Sequence, residues 1–152
     1  MKKKIMSIIL TIVLCFSFAI SASAESKAID FVVDELDNLV TEELNELNDV
    51  ALDIYQRTGV GIFFVYTKTD PLEDYDFAGL TGGMEDYVVM IENDTSWLVC
   101  KGGMGEEIDT AAEDELRAVY DAEETYVSGV RELLNAAALY FPYIADTPEG
   151  DI

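Results

Sequence analysis

The chain has 152 residues, room for one domain and little more, with 9 Lys and Arg against 31 Asp and Glu, no His, and a formal charge of −22. A field this negative excludes unassisted nucleic-acid binding, which needs Lys and Arg on the phosphates, and it disfavours anionic membrane surfaces. Without histidine there is no Ser-His-Asp or Cys-His centre and no His-ligated zinc, while a hydrophobic fraction of 50% supplies the apolar surface that a disordered acidic chain lacks.

The N-terminus reads as a secretory signal peptide spanning 1–24. Lys2, Lys3 and Lys4 form its basic start, Ile5 to Ile20 its apolar run, and Ala22-Ser23-Ala24 its cleavage site ahead of Glu25. An uncleaved N-terminal anchor is the alternative. Cys15 lacks the small residues that precede a lipoprotein cysteine and leaves with the signal, so Cys100 cannot form an intrachain disulfide and is expected as a buried core thiol. Export without disulfides fits a bacterial extracytoplasmic protein at the cell envelope, secreted or retained there. No later stretch reaches the roughly 20 apolar residues of a membrane span. Six basic residues remain, Lys27, Arg57, Lys68, Lys101, Arg117 and Arg131, too scattered to suggest an anion clamp.

After a polar leader, 25–30, a single domain is expected over 31–142, with a polar tail over 143–152. Phe31 to Asp34 reads as a short extended entry. Leu44, Leu47, Val50, Ala51, Ile54 and Tyr55 recur at helical spacing behind Thr41 as N-cap, with Gly59 as the C-terminal stop. Val60 to Thr67 is almost wholly apolar and β-prone, a central strand buried on both faces. Thr69 to Asp86 holds Pro71, three glycines and six acidic residues and reads as a loop with at most one helical turn. Tyr87–Ile91 and Ser96–Lys101 read as strands joined by a turn at Asn93-Asp94. A second helix is expected over Ala111–Ala122, with Thr110 and Glu113 as capping box, and a third over Tyr126–Phe141, stopped by Pro142. This order implies an α/β fold, a small αβα sandwich whose mixed β-sheet is flanked by about three helices.

The order and local sequences resemble the TPM domain family, exported or lumenal α/β sandwiches named for thylakoid, photosystem-repair and membrane relatives. The residues that carry the likeness are Val33-Asp34 with Leu39 and Glu42-Glu43-Leu44, Thr58-Gly59-Val60-Gly61-Ile62, Trp97-Leu98-Val99 and Gly103-Met104-Gly105-Glu106-Glu107. Glu85-Asp86-Tyr87 stands where the family has Asp-Asn-Gly, the helix between the first two long strands is shortened to the acidic loop, and the C-terminal membrane helix of many bacterial relatives is missing from the pattern. The resemblance implies calcium binding and, in some relatives, acid phosphatase activity.

The loop also has a reading of its own. Asp74, Asp76 and Glu85 occupy positions 1, 3 and 12, and Gly79 position 6, of a twelve-residue calcium loop. Ala78 at position 5 and Thr81 at position 8 break the EF-hand pattern, leaving a less regular Ca²⁺ site drawn from Asp74, Asp76, Glu85 and Asp86, or a solvated acidic loop. Asp34, the family's opening acid, could reach the same cleft or simply cap a turn. Clustered carboxylates repel one another, and a divalent cation relieves that repulsion. Gly102-Gly103-Met104-Gly105 is expected as a tight turn rather than a phosphate cradle, because Glu106, Glu107 and Asp109 would stand beside the phosphate. The expectation is an acidic calcium-binding accessory or interaction module, monomeric, with an envelope protein as its conceivable partner. A weak metal-dependent acid phosphatase and a metal-free acidic interaction domain are the alternatives.

Overall fold

The computed structural model describes residues 29–103 and 108–141; the expected signal peptide, Pro142, the polar tail and Met104–Glu107 lie outside them. The elements in order are β1 (Val32–Asp34), α1 (Thr41–Thr58), β2 (Gly61–Tyr66), a 3-10 turn (Leu72–Asp74), α2 (Phe77–Thr81), β3 (Tyr87–Glu92), β4 (Trp97–Lys101), α3 (Thr110–Asp121) and α4 (Tyr126–Ala138). They form an α/β sandwich on one mixed sheet in the order β1-β2-β3-β4. The β1–β2 and β2–β3 pairs are parallel and β3–β4 is antiparallel.

Every residue of β2 is buried, and so are Val88, Val89, Met90 and Ile91 of β3. A parallel strand between two neighbours has no solvent face, which is why both sequences read as unbroken apolar runs. α1 brings Leu47, Ala51 and Ile54 into this core and packs on β1, β2 and α4. Its C-terminus is the one expected, with Gly59 at φ 72° sending its N–H back to the Tyr55 carbonyl at 2.8 Å. Its N-terminus differs, since Val40 is the cap and Thr41 is already helical. Valine has no acceptor to offer, so the end is held from the other side, by Glu43 accepting the Val40 N–H at 3.1 Å.

Other boundaries shift for similar local reasons. Asp109, not Thr110, caps α3 by accepting the Ala112 N–H at 2.9 Å. α4 gives way after Ala138 to a tighter turn, in which Leu139, Tyr140 and Phe141 donate to the carbonyls three residues back. The single helical turn allowed within the loop forms as a fourth helix, α2, which Asp76 caps through the Gly79 N–H at 2.9 Å. The hairpin connection is longer than the two residues expected. Asn93 holds it, with its amide oxygen accepting the N–H groups of Thr95 (3.0 Å) and Ser96 (2.7 Å). Cys100 is half-buried rather than buried, since it lies on the edge strand β4.

The opposite edge is closed by a side chain. Asn48 of α1 accepts the N–H groups of Phe31 (2.8 Å) and Val32 (3.0 Å) and donates to the Val32 carbonyl (3.1 Å), standing where another strand would pair. At roughly 1 kcal/mol net per hydrogen bond, Asn48→Ala is expected to cost about 2–3 kcal/mol of unfolding free energy in urea titrations. An unchanged midpoint would mean that β1 is held by packing alone.

Candidate functional site

The five acids singled out in the sequence do not converge. Asp34 sits at the carboxyl end of β1, where its two oxygens accept the N–H groups of Leu36 (3.0 Å) and Leu39 (2.7 Å), the turn-forming role foreseen as its alternative. Asp74 closes the 3-10 turn, and Asp76 caps α2. Glu85 and Asp86 precede the first residue of β3, at the amino end of the parallel strands. Asp34 pairs in register with Tyr66, and Tyr66 with Glu92, so the length of β3, about 3.3 Å per residue, lies between Asp34 and the Glu85-Asp86 pair. Among the described residues no group of three or more Cys, Asp or Glu could hold a metal ion. Their oxygen chemistry suits Ca²⁺, but their placement does not form one prebuilt five-ligand site.

Gly102 and Gly103 have a structural task at that amino end. A Cβ on Gly102 would stand 2.5 Å from the Glu85 carbonyl oxygen, and one on Gly103 would stand 2.6 Å from an Asp86 carboxylate oxygen. Gly103 also donates its N–H to the Glu85 carbonyl at 2.7 Å. These glycines let β4 close against the start of β3, as a tight turn requires and a phosphate cradle would not.

The carboxyl ends of the parallel strands carry the denser polar constellation, and this is the edge at which open α/β sheets take ligands. Tyr66 ends β2, and its hydroxyl lies 2.5 Å from that of Tyr120 on α3. Tyr120 also stacks on Phe64, with ring centroids 5.8 Å apart. The Arg117 guanidinium lies over Trp97 (5.0 Å) and Tyr120 (5.4 Å). It pairs closely with Asp121 at 3.1 Å and loosely with Glu92 at 3.8 Å. Glu92 Oε2 and Arg117 Nη1 are shielded from solvent without a hydrogen-bond partner. Burial raises the Glu92 carboxyl above its usual range, against the pull of Arg117. Burial likewise raises both tyrosines, Tyr120 to about 12, so both stay protonated at neutral pH.

Two cavities flank this wall. One of about 570 Å³ is lined by Glu43, Asp121, Glu123 and Glu124 together with Asn38, Tyr120, Thr125, Tyr126 and Val127, with no basic residue among them. The other, about 230 Å³, lies between the β3–β4 connection and Arg117. The sequence reading named Arg117 only among the scattered bases and passed over Glu92 and Tyr120. The signal it held was a charged residue ending an apolar strand, five residues before the chain's single Trp, and an Arg one helical turn before a Tyr.

No protein-family model matches the chain, and no curated protein does. Among solved structures the fold is similar to the N-terminal domain of a protein from P. gingivalis, with TM-score 0.60, 16% identity, and 76% of this chain and 83% of that one covered. It is also similar to the N-terminal domain of the cg2496 protein from Corynebacterium glutamicum, with TM-score 0.56, 12% identity, and coverage of 75% and 81%. A third likeness is to the BA42 protein of the psychrophilic bacterium Bizionia argentinensis, with TM-score 0.57, 15% identity, and coverage of 72% and 88%. At these identities the likeness is one of fold. Among the described residues no helix is long and apolar enough to cross a membrane.

The Glu92 shift fixes a pH signature. A carboxyl whose folded pKa is raised keeps its proton in the native state after the unfolded chain has lost it. Native stability therefore falls as pH rises from about the unfolded value towards the folded one. Glu92→Gln removes that contribution. In urea unfolding, the stability of the wild type relative to Glu92→Gln is expected to decrease as pH rises from 4.5 to 7. A constant difference would mean that Arg117 fully compensates the buried charge.

Proposed function

We propose that this chain is an exported, acidic, TPM-type binding module that takes up Ca²⁺ through its carboxylates and serves as an accessory or interaction domain at the cell envelope. The observation that supports this reading is the 570 Å³ cavity beside the carboxyl ends of the strands, lined by four carboxylates and no base; these are not grouped as a ready metal site, so Ca²⁺ would have to draw them together on binding. Hard oxygen donors in an adaptable surface setting are the ligands Ca²⁺ favours, and extracellular sites of this kind bind with dissociation constants on the order of 10⁻⁴–10⁻³ M. The formal charge of −22 supplies the self-repulsion that a divalent cation relieves. Asp34, at the same end, borders the turn that carries Asn38, while Asp74, Asp76, Glu85 and Asp86 would contribute only after rearrangement. A phosphatase is less well supported. Of the bases at this end, Arg117 is already held by Asp121 and Lys68 lines a separate cavity together with Asp70 and Asp94, so the two do not form a clamp for a phosphate ester.

Calorimetric titration of Ca²⁺ into chelator-stripped protein at physiological salt is expected to give a weak saturable isotherm and a rise in Tm. The double variant Glu123→Gln with Glu124→Gln is expected to weaken binding about tenfold, roughly 1.4 kcal/mol. Loss on Glu85→Gln with Asp86→Asn instead would move the site to the amino end of β3. Neither heat nor thermal stabilisation at millimolar Ca²⁺ would remove the metal from the proposal and leave an acidic interaction domain.

A further inference from the structure

The two edges of the sheet are finished differently. At β1 only three residues are offered, and Asn48 occupies the outward groups of Val32. β4 is five residues long, and its register with β3 runs without a bulge from Trp97 to Lys101. Its hydrogen-bond parity follows from the two ends of the ladder. The Asn93 N–H donates to the Ser96 carbonyl at 3.1 Å, and the Gly102 N–H donates to the Tyr87 carbonyl at 2.8 Å. In an antiparallel pair, bonded and non-bonded partners alternate, so Leu98 and Cys100 bond inward to Ile91 and Val89. The N–H and C=O of Trp97, Val99 and Lys101 therefore point away from the sheet. The Lys101 N–H lies against the Cys100 sulfur, and no other group among the described residues takes up these outward donors and acceptors.

Exposed edges are normally blunted by proline, bulges, short length or a displayed lysine. β4 has no proline and no bulge. Its single lysine is turned aside, the Lys101 ammonium binding Glu113 at 2.6 Å and the Ile108 carbonyl. The flanks of the edge are acidic. The 3-10 turn that packs against β4 presents exposed Glu73 and Asp74, and Asp94 is exposed in the hairpin connection. Trp97, Leu98, Val99 and Cys100 are all half-buried, leaving apolar surface for alternate side chains of an incoming strand. A second copy of this chain would bring the same net charge of −22 to this edge, so like charge argues against self-pairing and for a cationic occupant.

We infer that the free edge of β4 is a docking site for an extended basic segment of a partner protein, alternating Lys or Arg with β-branched residues, which adds to the sheet as a fifth strand. Main-chain hydrogen bonds supply the affinity in this mode, and side-chain alternation supplies the selectivity. The edge shares no residue with the lining of the carboxylate cavity, and nothing in main-chain pairing there calls for calcium.

The probe is the end-blocked hexapeptide Lys-Val-Lys-Val-Lys-Val, compared with the same peptide N-methylated at alternate amides and with its Glu-Val counterpart, all added to the full-length protein. Trp97, the only tryptophan, reports binding by fluorescence, and amide hydrogen exchange at Trp97 and Val99 reports strand addition. The basic peptide is expected to shift the emission and slow exchange at both amides. N-methylation is expected to weaken binding about tenfold, and the acidic peptide is expected not to bind. Val99→Pro removes one outward donor and none of the ladder to β3, so it is expected to fold and to lose the peptide to a similar degree. Equal binding of the methylated peptide would reduce the effect to charge attraction and overturn the proposal. Absent protection at Trp97 and Val99 would do the same. Protection that exists without peptide and disappears on dilution would show that a second copy holds the edge, which also overturns it.

Discussion

The burial of β2 on both faces and both edges is the constraint from which the rest of the molecule follows. A strand without a solvent-facing side must be apolar along its length, must have a strand on each flank for its backbone groups, and must be covered above and below. In a chain with this much acid, every charge is thereby forced to the strand ends, the connections and the outer faces of the helices. Glu92 is the instructive case. It is the first acidic residue after the apolar run of β3, only partly withdrawn from water, and already its carboxyl is biased towards the neutral form by burial. The margin between core and acidic rim is about one residue wide.

That margin explains which parts of the structure were legible in the sequence. β2 and β3 were readable because double burial leaves no ambiguity of face, and Gly59 because a left-handed turn at φ 72° favours glycine. The helix starts were displaced by one residue where capping came from an unexpected direction. Val40 carries no cap of its own and relies on Glu43 reaching back, while Asp109 competes with Thr110 for the same task and is the better acceptor. α2 was legible only as the single helical turn allowed within the loop, because five residues are too few to show a helical period, and the Asp76–Gly79 bond fixes where it starts.

The site was less legible than the fold, for a physical reason. Spacing along the chain suggested a calcium loop around Asp74 to Glu85, yet spacing has meaning only if the intervening backbone folds around one centre. Here α2 sits inside that stretch and spends Asp76 on its own N-terminus, while β3 carries the chain away from Glu85. Glu92, Arg117, Tyr120 and Trp97 come from three elements and meet only through strand register and helix packing, which no local pattern encodes. Asp34 was placed correctly at the strand end, and its ambiguity between ligand and turn former resolves towards the turn in the two hydrogen bonds it accepts.

The asymmetry between the sheet edges has a consequence for assembly. Growth of a β-sheet into a filament requires every unit to offer one edge and accept at another, the head-to-tail arrangement that does not close. Asn48 takes up the backbone groups of Val32 that such an acceptor edge would need. A chain with one open edge can be a terminus but not a link, so whatever strand it receives, the sheet stops growing there. For a chain with two long apolar strands, that single asparagine acts as a safeguard against polymerisation.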